Sequence, residues 1–338
     1  MKNYIAIKYN RTIIPASAAI IVAIFAIVHS SFVLAAATST PLNIENLPDK
    51  TVYNDFVVGP GKFELNMNPG ETRTTEITVS NRLGKNKTFQ LEVEDFEGSR
   101  DPAQTVVLLD SARGPYSLKD YVQVPFKTFT IGNAERVRIP IIVHIPTDAA
   151  PGGLYGSVVI STVTSPTDQT LADGSSAGTS PIITRIGTLY FVRVAGDVKE
   201  DGKLTDFSLK DNAHFIASGP LDFQMLYEDN GTIHENPYGT ISVTNMFGSE
   251  VAHMDVEPWF ALPNSLRLRE VVWDAPFLIG RYVAKAEINR GYGNIIDTKE
   301  VTFWVIPWRV ILIVFIGLVI IIIAFRWIAS KFSIVVKK

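Results

Sequence analysis

Chemistry requires side chains that can hold a proton, a metal ion or a nucleophilic electron pair, and this chain of 338 residues arranges few of them for it. Outside residues 1–37 its histidines are His144, His214, His234 and His253. No two stand four apart and no H-E-x-x-H run occurs, so the spacing that puts two imidazoles on one zinc ion is missing. His144 falls on the polar side of an alternating stretch, where a solvent-facing ring is expected rather than a ligand. Glu92, Glu94, Asp95 and Glu97 form the densest acidic group. On an extended strand Glu92 and Glu94 share a face about 7 Å apart, a separation glycosidases use but one that every such carboxylate pair meets. A solvated face is the expectation for this group, with calcium binding as the alternative.

Gly59-Pro60-Gly61 and Gly291-Tyr292-Gly293 read as turns, because neither opens a helix with the lysine or third glycine that a phosphate loop needs. There is no G-x-S-x-G elbow. The absence of cysteine removes thiol catalysis, thiolate metal sites and disulfides together, so each folded unit must hold by core packing alone. Tyr155, Tyr238 and Tyr292 lie beside or near glycines, where a ring could stack on a sugar; core packing is the stronger expectation. The expectation is therefore a protein that is not an enzyme, with no catalytic residue, metal or cofactor.

The elements that carry these residues have period two, the signature of antiparallel sandwiches. Phe63, Leu65 and Met67 alternate with polar residues, and Asn68-Pro69-Gly70 then supplies a turn. Thr75, Ile77 and Val79 continue the pattern, as do Phe89, Leu91 and Val93; the longest stripe is Val137, Ile139, Ile141, Val143 and Ile145. Ser117 to Val122 reads as one helical turn carrying the chain between sheets. Asp148 to Gly153 reverses the chain into a strand ending near Val163, and the return strand runs from Ile182 to Val194. Between them, Thr164 to Ser180 is polar and unpatterned, either a contact loop (Thr164, Ser165, Pro166 and Ser180 are its marker residues) or a flexible insertion.

Ala195 to Gly202 is short, charged and turn-rich, and the boundary between two modules is placed there. Leu221, Phe223, Met225 and Tyr227 alternate up to Asn230-Gly231, which reads as a hairpin turn with Thr240 to Asn245 continuing the same sheet. Later strands centre on 256–260, 266–273, 282–288 and 301–306. The expected architecture is all-β: two tandem immunoglobulin-like β-sandwiches, 56–196 and 202–306, followed by one C-terminal transmembrane helix at 308–328.

Both ends are apolar. Lys2, Lys8 and Arg11 precede an apolar run and Ala35-Ala36-Ala37, the layout of a signal peptide over 1–37, with an uncleaved anchor as the alternative and a linker at 38–55. Trp308 to Ile328, at about 1.5 Å per residue, matches a hydrocarbon core of roughly 30 Å. Trp304, Trp308, Arg309, Arg326 and Trp327 bracket it as membrane-anchoring residues. The tail, 329–338, is basic without an acid and is expected in the cytoplasm, so the sandwiches face outward from the plasma membrane. All 34 acidic residues lie between Glu45 and Glu300, while eight of the 31 basic residues lie outside that stretch, so the exported part is strongly acidic and unsuited to nucleic acid.

Three segments carry a resemblance: Phe63 to Thr72 leading to Val79-Ser80-Asn81, then Ser117-Leu118-Lys119-Asp120-Tyr121-Val122, then Pro146 to Gly156. In them the chain resembles the WxL-interacting protein family of Gram-positive surfaces. The resemblance implies a signal peptide, two immunoglobulin-like domains, a membrane helix and peptidoglycan binding by the first domain; in the second, Leu262-Pro263-Asn264-Ser265 with Arg267 is only a faint echo. The expected function is a membrane-anchored binding or assembly protein whose partner, besides the lipid bilayer, is cell-wall glycan or an extracellular protein. The rival expectation is a structural spacer or scaffold subunit of an envelope complex.

Overall fold

A computed structural model describes residues 43–163, 183–275 and 278–331. The expected signal peptide, the contact loop with Thr164, Ser165, Pro166 and Ser180, and residues 332–338 of the tail lie outside the described residues.

In chain order the first part forms β1 (Asn43–Asn46), β2 (Asp55–Gly59), β3 (Lys62–Met67), β4 (Thr72–Arg82), β5 (Lys87–Glu97), β6 (Val107–Leu108), β7 (Val122–Gln123), β8 (Thr128–Ile131), β9 (Glu135–His144), β10 (Gly152–Thr162) and β11 (Arg185–Val194). The second part forms β12 (Gly202–Leu209), β13 (Phe215–Ile216), β14 (Leu221–Asp229), β15 (Tyr238–Asn245), β16 (Glu250–Val256), β17 (Ser265–Trp273), β18 (Gly280–Asn289), β19 (Ile296–Val305) and then the helix α1 (Trp308–Lys331).

Each part is a β-sandwich, and the two repeat one plan. In the first, one sheet has the order β1-β9-β4-β2 with β7 also on β9, and it faces β3-β11-β10-β5-β6 with β8 also on β5. In the second, β12-β14-β17 faces β13-β19-β18-β15-β16. The opening strand is split in both, its second half crossing to the other sheet to run parallel to the last strand, as β3 beside β11 and β13 beside β19. In the first sandwich Gly59-Pro60-Gly61 makes the crossing, since proline ends the ladder that β2 shares with β4.

Alternation decides which side is core. Along β9, Val137, Ile139, Ile141 and Val143 are fully buried while Ile142 is 36% exposed. Phe89 and Phe129 meet them from the facing sheet, and Phe56 of β2, in the same sheet as β9, packs against Phe89; the ring centroids are 5.5 Å apart for Phe89–Phe129 and 5.1 Å for Phe56–Phe89. In the second sandwich Leu221, Phe223, Met225 and Tyr227 point inward along β14 against Ile241, Val243, Ala284 and Phe303.

Two strand expectations are corrected. Asn230-Gly231 is not a hairpin turn, because β14 pairs with β12 and β17 while β15 lies in the opposite sheet. The chain crosses between sheets there. The Gly231 N–H donates to Asp229 Oδ1, and the N–H groups of Asn230 and Thr232 donate to the carbonyls of Asp201 and Lys199, each at 2.8 Å. The turn residues thus pin the link between sandwiches rather than a hairpin. The strand expected at 256–260 stops at Val256, before Pro258, and the Trp259 N–H turns to the Pro237 carbonyl.

The sandwiches meet through an aromatic joint. Tyr155 and Phe96 of the first sandwich, with Phe191, pack against Leu262 and Phe260 of the second. The Tyr155 hydroxyl accepts the backbone N–H of His234 at 2.6 Å and lies 3.3 Å from that ring's Nδ1. Backbone bonds cross as well, Gly153 N–H to the Thr232 carbonyl and Leu266 N–H to the Ser99 carbonyl, both at 2.9 Å. Gly98 permits this approach: a Cβ there would stand 2.5 Å from the Ser265 Cβ. Leu262 to Ser265, a faint family echo in the sequence, is part of this contact.

The parity of β9 sets up a comparison between neighbours of one residue type. Ile141→Ala should cost about 2–5 kcal/mol of unfolding free energy, and Ile142→Ala less than about 1 kcal/mol, read as urea midpoints at unchanged slope. Equal costs would mean that this strand does not sort its faces as described.

Candidate functional site

The surface best equipped to take a ligand lies along the edge of β5. Its odd-numbered residues turn their backbone groups away from β10: Leu91 N–H donates to the Lys127 carbonyl at 2.8 Å, and the Asp95 carbonyl accepts from Leu109 N–H at 2.9 Å. Val93 lies midway with the same parity, so its N–H and carbonyl point outward too. There β8 pairs only with Lys87 to Gln90 and β6 only with Phe96 and Glu97, so among the described residues no strand faces Val93. The opening from residue 91 to 95 spans about 13 Å, room for roughly three residues of extended chain.

A cleft of about 660 Å³ opens over this edge, lined among others by Glu92, Glu94, Asp110, Val124, Lys127 and Arg185. Glu94 corrects an expectation, for it is buried at 6% exposure instead of lying on a solvated face. Arg185 on β11 crosses the sheet to pair with its carboxylate and lies 3.4 Å from Asp110. Gly187 keeps the surface between them clear, since a Cβ there would come within 2.5 Å of the Ser157 hydroxyl. Burial pushes the Glu94 carboxyl up, and Arg185 only partly opposes this. One oxygen of Glu94, Oε2, has no hydrogen-bond partner among the described residues, an acceptor open to a donor brought by a ligand.

Asp95, the next member of the acidic group, is also buried and plays a structural part. Its Oδ1 accepts the N–H groups of Leu118 and Lys119 at 3.0 and 2.9 Å. That fixes the short helical turn Lys119–Tyr121, which carries the chain from β6 in one sheet to β7 in the other. Among the described residues no group of three or more histidines and carboxylates could hold a metal ion.

His144 is exposed and lies 2.7 Å from the Thr72 hydroxyl. His253 sits 3.3 Å from Glu250, and His214 faces a backbone carbonyl. His234 is half-buried in the joint, a role that nothing in its sequence neighbourhood signalled. Tyr155 is wholly buried and Tyr292 bonds to both backbone groups of Gly202, while Tyr238 is exposed on β15. Trp304 lies in β19, Trp308 and Arg309 open α1 with the guanidinium 5.5 Å from the Trp308 ring, and Arg326 and Trp327 lie in its last turns. From Trp308 to Ile328 the helix has a mean hydropathy of 3.0 and is unburied, long and apolar enough to cross a membrane.

A second set of titratable groups lies under the joint. Tyr227 donates to Glu235 Oε2 at 2.6 Å and Asp201 N–H to Oε1 at 3.0 Å. Asp229 is wholly buried. Burial, then the charge of Glu235, pushes its carboxyl up to about 8. Burial likewise raises Glu235 to about 7 and lowers His234 to about 4. Tyr227, Asp229 and Glu235 are tied into the packing beneath the joint, while His234 and Glu235 also line a small cleft of about 210 Å³ beside Glu64 and Tyr292.

They set a pH dependence. Asp229 and Glu235 hold protons in the folded protein that the unfolded chain releases above its ordinary carboxylate range, so their contribution is lost as pH rises toward about 8. His234 acts oppositely, costing stability only as pH falls from 6.5 toward about 4. The melting temperature should therefore fall between about pH 6.5 and 8.5, where only the carboxyls act, and Asp229→Asn should flatten that slope. A slope unchanged in the variant would remove Asp229 as its cause.

No family model and no curated protein matches this chain. Among solved structures, the class 5 fimbriae chaperone CfaA is similar at 8% identity and a TM-score of 0.36, covering 74% of this chain and 99% of that one. The CsuC–CsuE chaperone–tip adhesion subunit complex of Acinetobacter baumannii gives 9% and 0.34 over 73% and 97%. The E. coli chaperone DraB gives 15% and 0.32 over 74% and 96%. Such likeness concerns the fold alone, a tandem pair of β-sandwiches. It corrects the resemblance drawn from the sequence: the structural neighbours are fimbrial chaperones, not WxL-interacting proteins, and the implied peptidoglycan binding is withdrawn with that assignment. The matched segments are mainly turns and strand ends, such as the turn at Gly70 with φ +81° and the turn Lys119–Tyr121, whose residues are chosen by backbone geometry that sandwiches of many families share.

Proposed function

We propose that this chain is a non-enzymatic binding or assembly protein, held on a membrane by α1, that takes an extended segment of an extracellular protein partner along the β5 edge of the first sandwich. The observation that carries it is the stretch at Val93, unpaired among the described residues, beside the buried carboxylate of Glu94, whose Oε2 has no partner among them. A segment laid there forms backbone bonds with Val93, and its flanking side chains fall on the face of Glu92 and Glu94, where a lysine, arginine or amide donor is favoured. The basic tail supports the reading in which the C-terminus is cytoplasmic and both sandwiches lie outside. The spacer reading draws its support from the bonded joint and from a last strand that runs into α1 without a stalk.

A photocrosslinking residue at Lys127, on the rim of the gap, should capture a protein in intact cells, whereas one at Thr74 on the opposite sheet should not. Val93→Pro removes the outward N–H without touching the β10 ladder, and with the fold intact by circular dichroism it should lower capture by about tenfold. Glu94→Gln should lower it less. Equal capture at the two positions would favour the spacer.

A further inference from the structure

The end of the second sandwich nearest α1 is apolar in a way that the sandwich itself does not require. Only Ile306 and Pro307 separate β19 from α1, so whatever flanks the end of β19 lies within about 10 Å of the helix start. The strand register shows what flanks it. Val305 pairs with Gly280 and Ile216, and Trp304 with Arg281 and Phe215. On the next strand Asn245 pairs with Tyr282, which brings the turn after β15 to the same end; a Cβ at Gly280 would stand 3.3 Å from the Met246 sulfur. A groove of about 330 Å³ runs between Ser218, Gly219 and Leu278 on the sandwich and Trp308, Arg309 and Val310 on the helix.

The residues presented here are large, apolar and wet. Phe247 is 83% exposed and Phe215 73%, with Met246, Ile279, Ile306 and Trp308 each more than two-fifths exposed. Phe247 is held outward by its turn: Asn245 Oδ1 accepts the N–H groups of Phe247 and Ser249 at 3.0 Å, and Gly248 takes φ +82°. Arg281 stands exposed at the same rim, a cation at headgroup level beside Arg309. The opposite end of this sandwich is already occupied, because His234 and Leu262 pack there against the first sandwich. One end is thus bonded to protein, while the other offers aromatic and aliphatic tips beside an apolar helix.

We propose that this end of the second sandwich is seated in the interfacial layer of a lipid bilayer, with Phe247, Met246, Phe215 and Ile279 as anchors around Trp308. It rests on α1 crossing the membrane, and the apolar surface of α1 continues directly into the patch. The seat fixes the height and tilt of the second sandwich, and through the joint it fixes those of the first.

The chain has no cysteine, so single labels can be placed without background. In the full chain reconstituted into phosphatidylcholine–phosphatidylglycerol vesicles, an environment-sensitive fluorophore at Ser249→Cys, which keeps Phe247, should be quenched by shallow lipid-borne nitroxides. A label at Asp110→Cys should not be, and one at Ile320→Cys should be quenched by deep nitroxides. Adding Met246→Ser and Phe247→Ser should weaken quenching at 249 by about twofold or more. Deep quenching at 320 with position 249 as water-accessible as 110 would overturn the seat and leave the membrane helix standing. A water-accessible label at 320 would overturn the helix reading and the seat together. A label at 249 that is shielded from water yet unquenched by lipid would mean that protein covers this end, which also overturns the proposal.

Discussion

Beyond its two separate cores, this molecule depends on how one phenol is satisfied. The Tyr155 hydroxyl is buried between the sandwiches, and it takes the His234 N–H while its ring packs against Phe96 and Phe191. Burying a hydroxyl without a partner costs more than a hydrogen bond returns. The bond therefore holds the two faces in one register. A chain without disulfides has no covalent means of doing this, and a link of seven residues between Val194 and Gly202 would otherwise leave the modules free.

The same demand for partners explains the gap on β5. Asp95 commits its carboxylate to the N–H groups of Leu118 and Lys119, which draws the chain off the edge and over to the opposite sheet. The segment returns only at Lys127. Among the described residues the stretch it vacates leaves Val93 without a neighbouring strand, and beside it Arg185 answers only one oxygen of the buried Glu94 carboxylate. An edge left open is a liability for a protein that binds nothing, since unpaired backbone groups recruit other strands. Here it is short and flanked by charge, features that limit unwanted strand pairing.

Mechanically the parts form a series. The joint ties the sandwiches together, and β19 feeds α1 after two residues, so that little of the chain between edge and helix can swing independently. Lipid contact at Phe247 and Phe215 would constrain the last free angle. A binding edge presented at a set distance from a surface behaves differently from one on a flexible stalk, because its effective concentration for a partner on that surface is far higher.

How much of this was legible beforehand depends on the range of the interaction involved. Period-two alternation marked the inward face of β9 and β14 residue by residue, and the unbroken apolar run marked α1, since each follows from the local geometry of its own element. Asn230-Gly231 has the composition of a hairpin turn, yet the strand that follows joins the other sheet, because sheet partnership is chosen by the second core and not by two turn residues. Glu94 alternates correctly onto the outer face; its burial came from Arg185, ninety-one residues away. His234 and Tyr155 looked ordinary for the same reason, each being defined by the other across the joint. Residue order along each strand thus dictates which side shuns water and that the chain closes as paired sheets before an apolar helix. What lies against the remaining faces is settled on folding, because a side chain's direction is a local property of the backbone whereas its environment is a property of residues far along the chain.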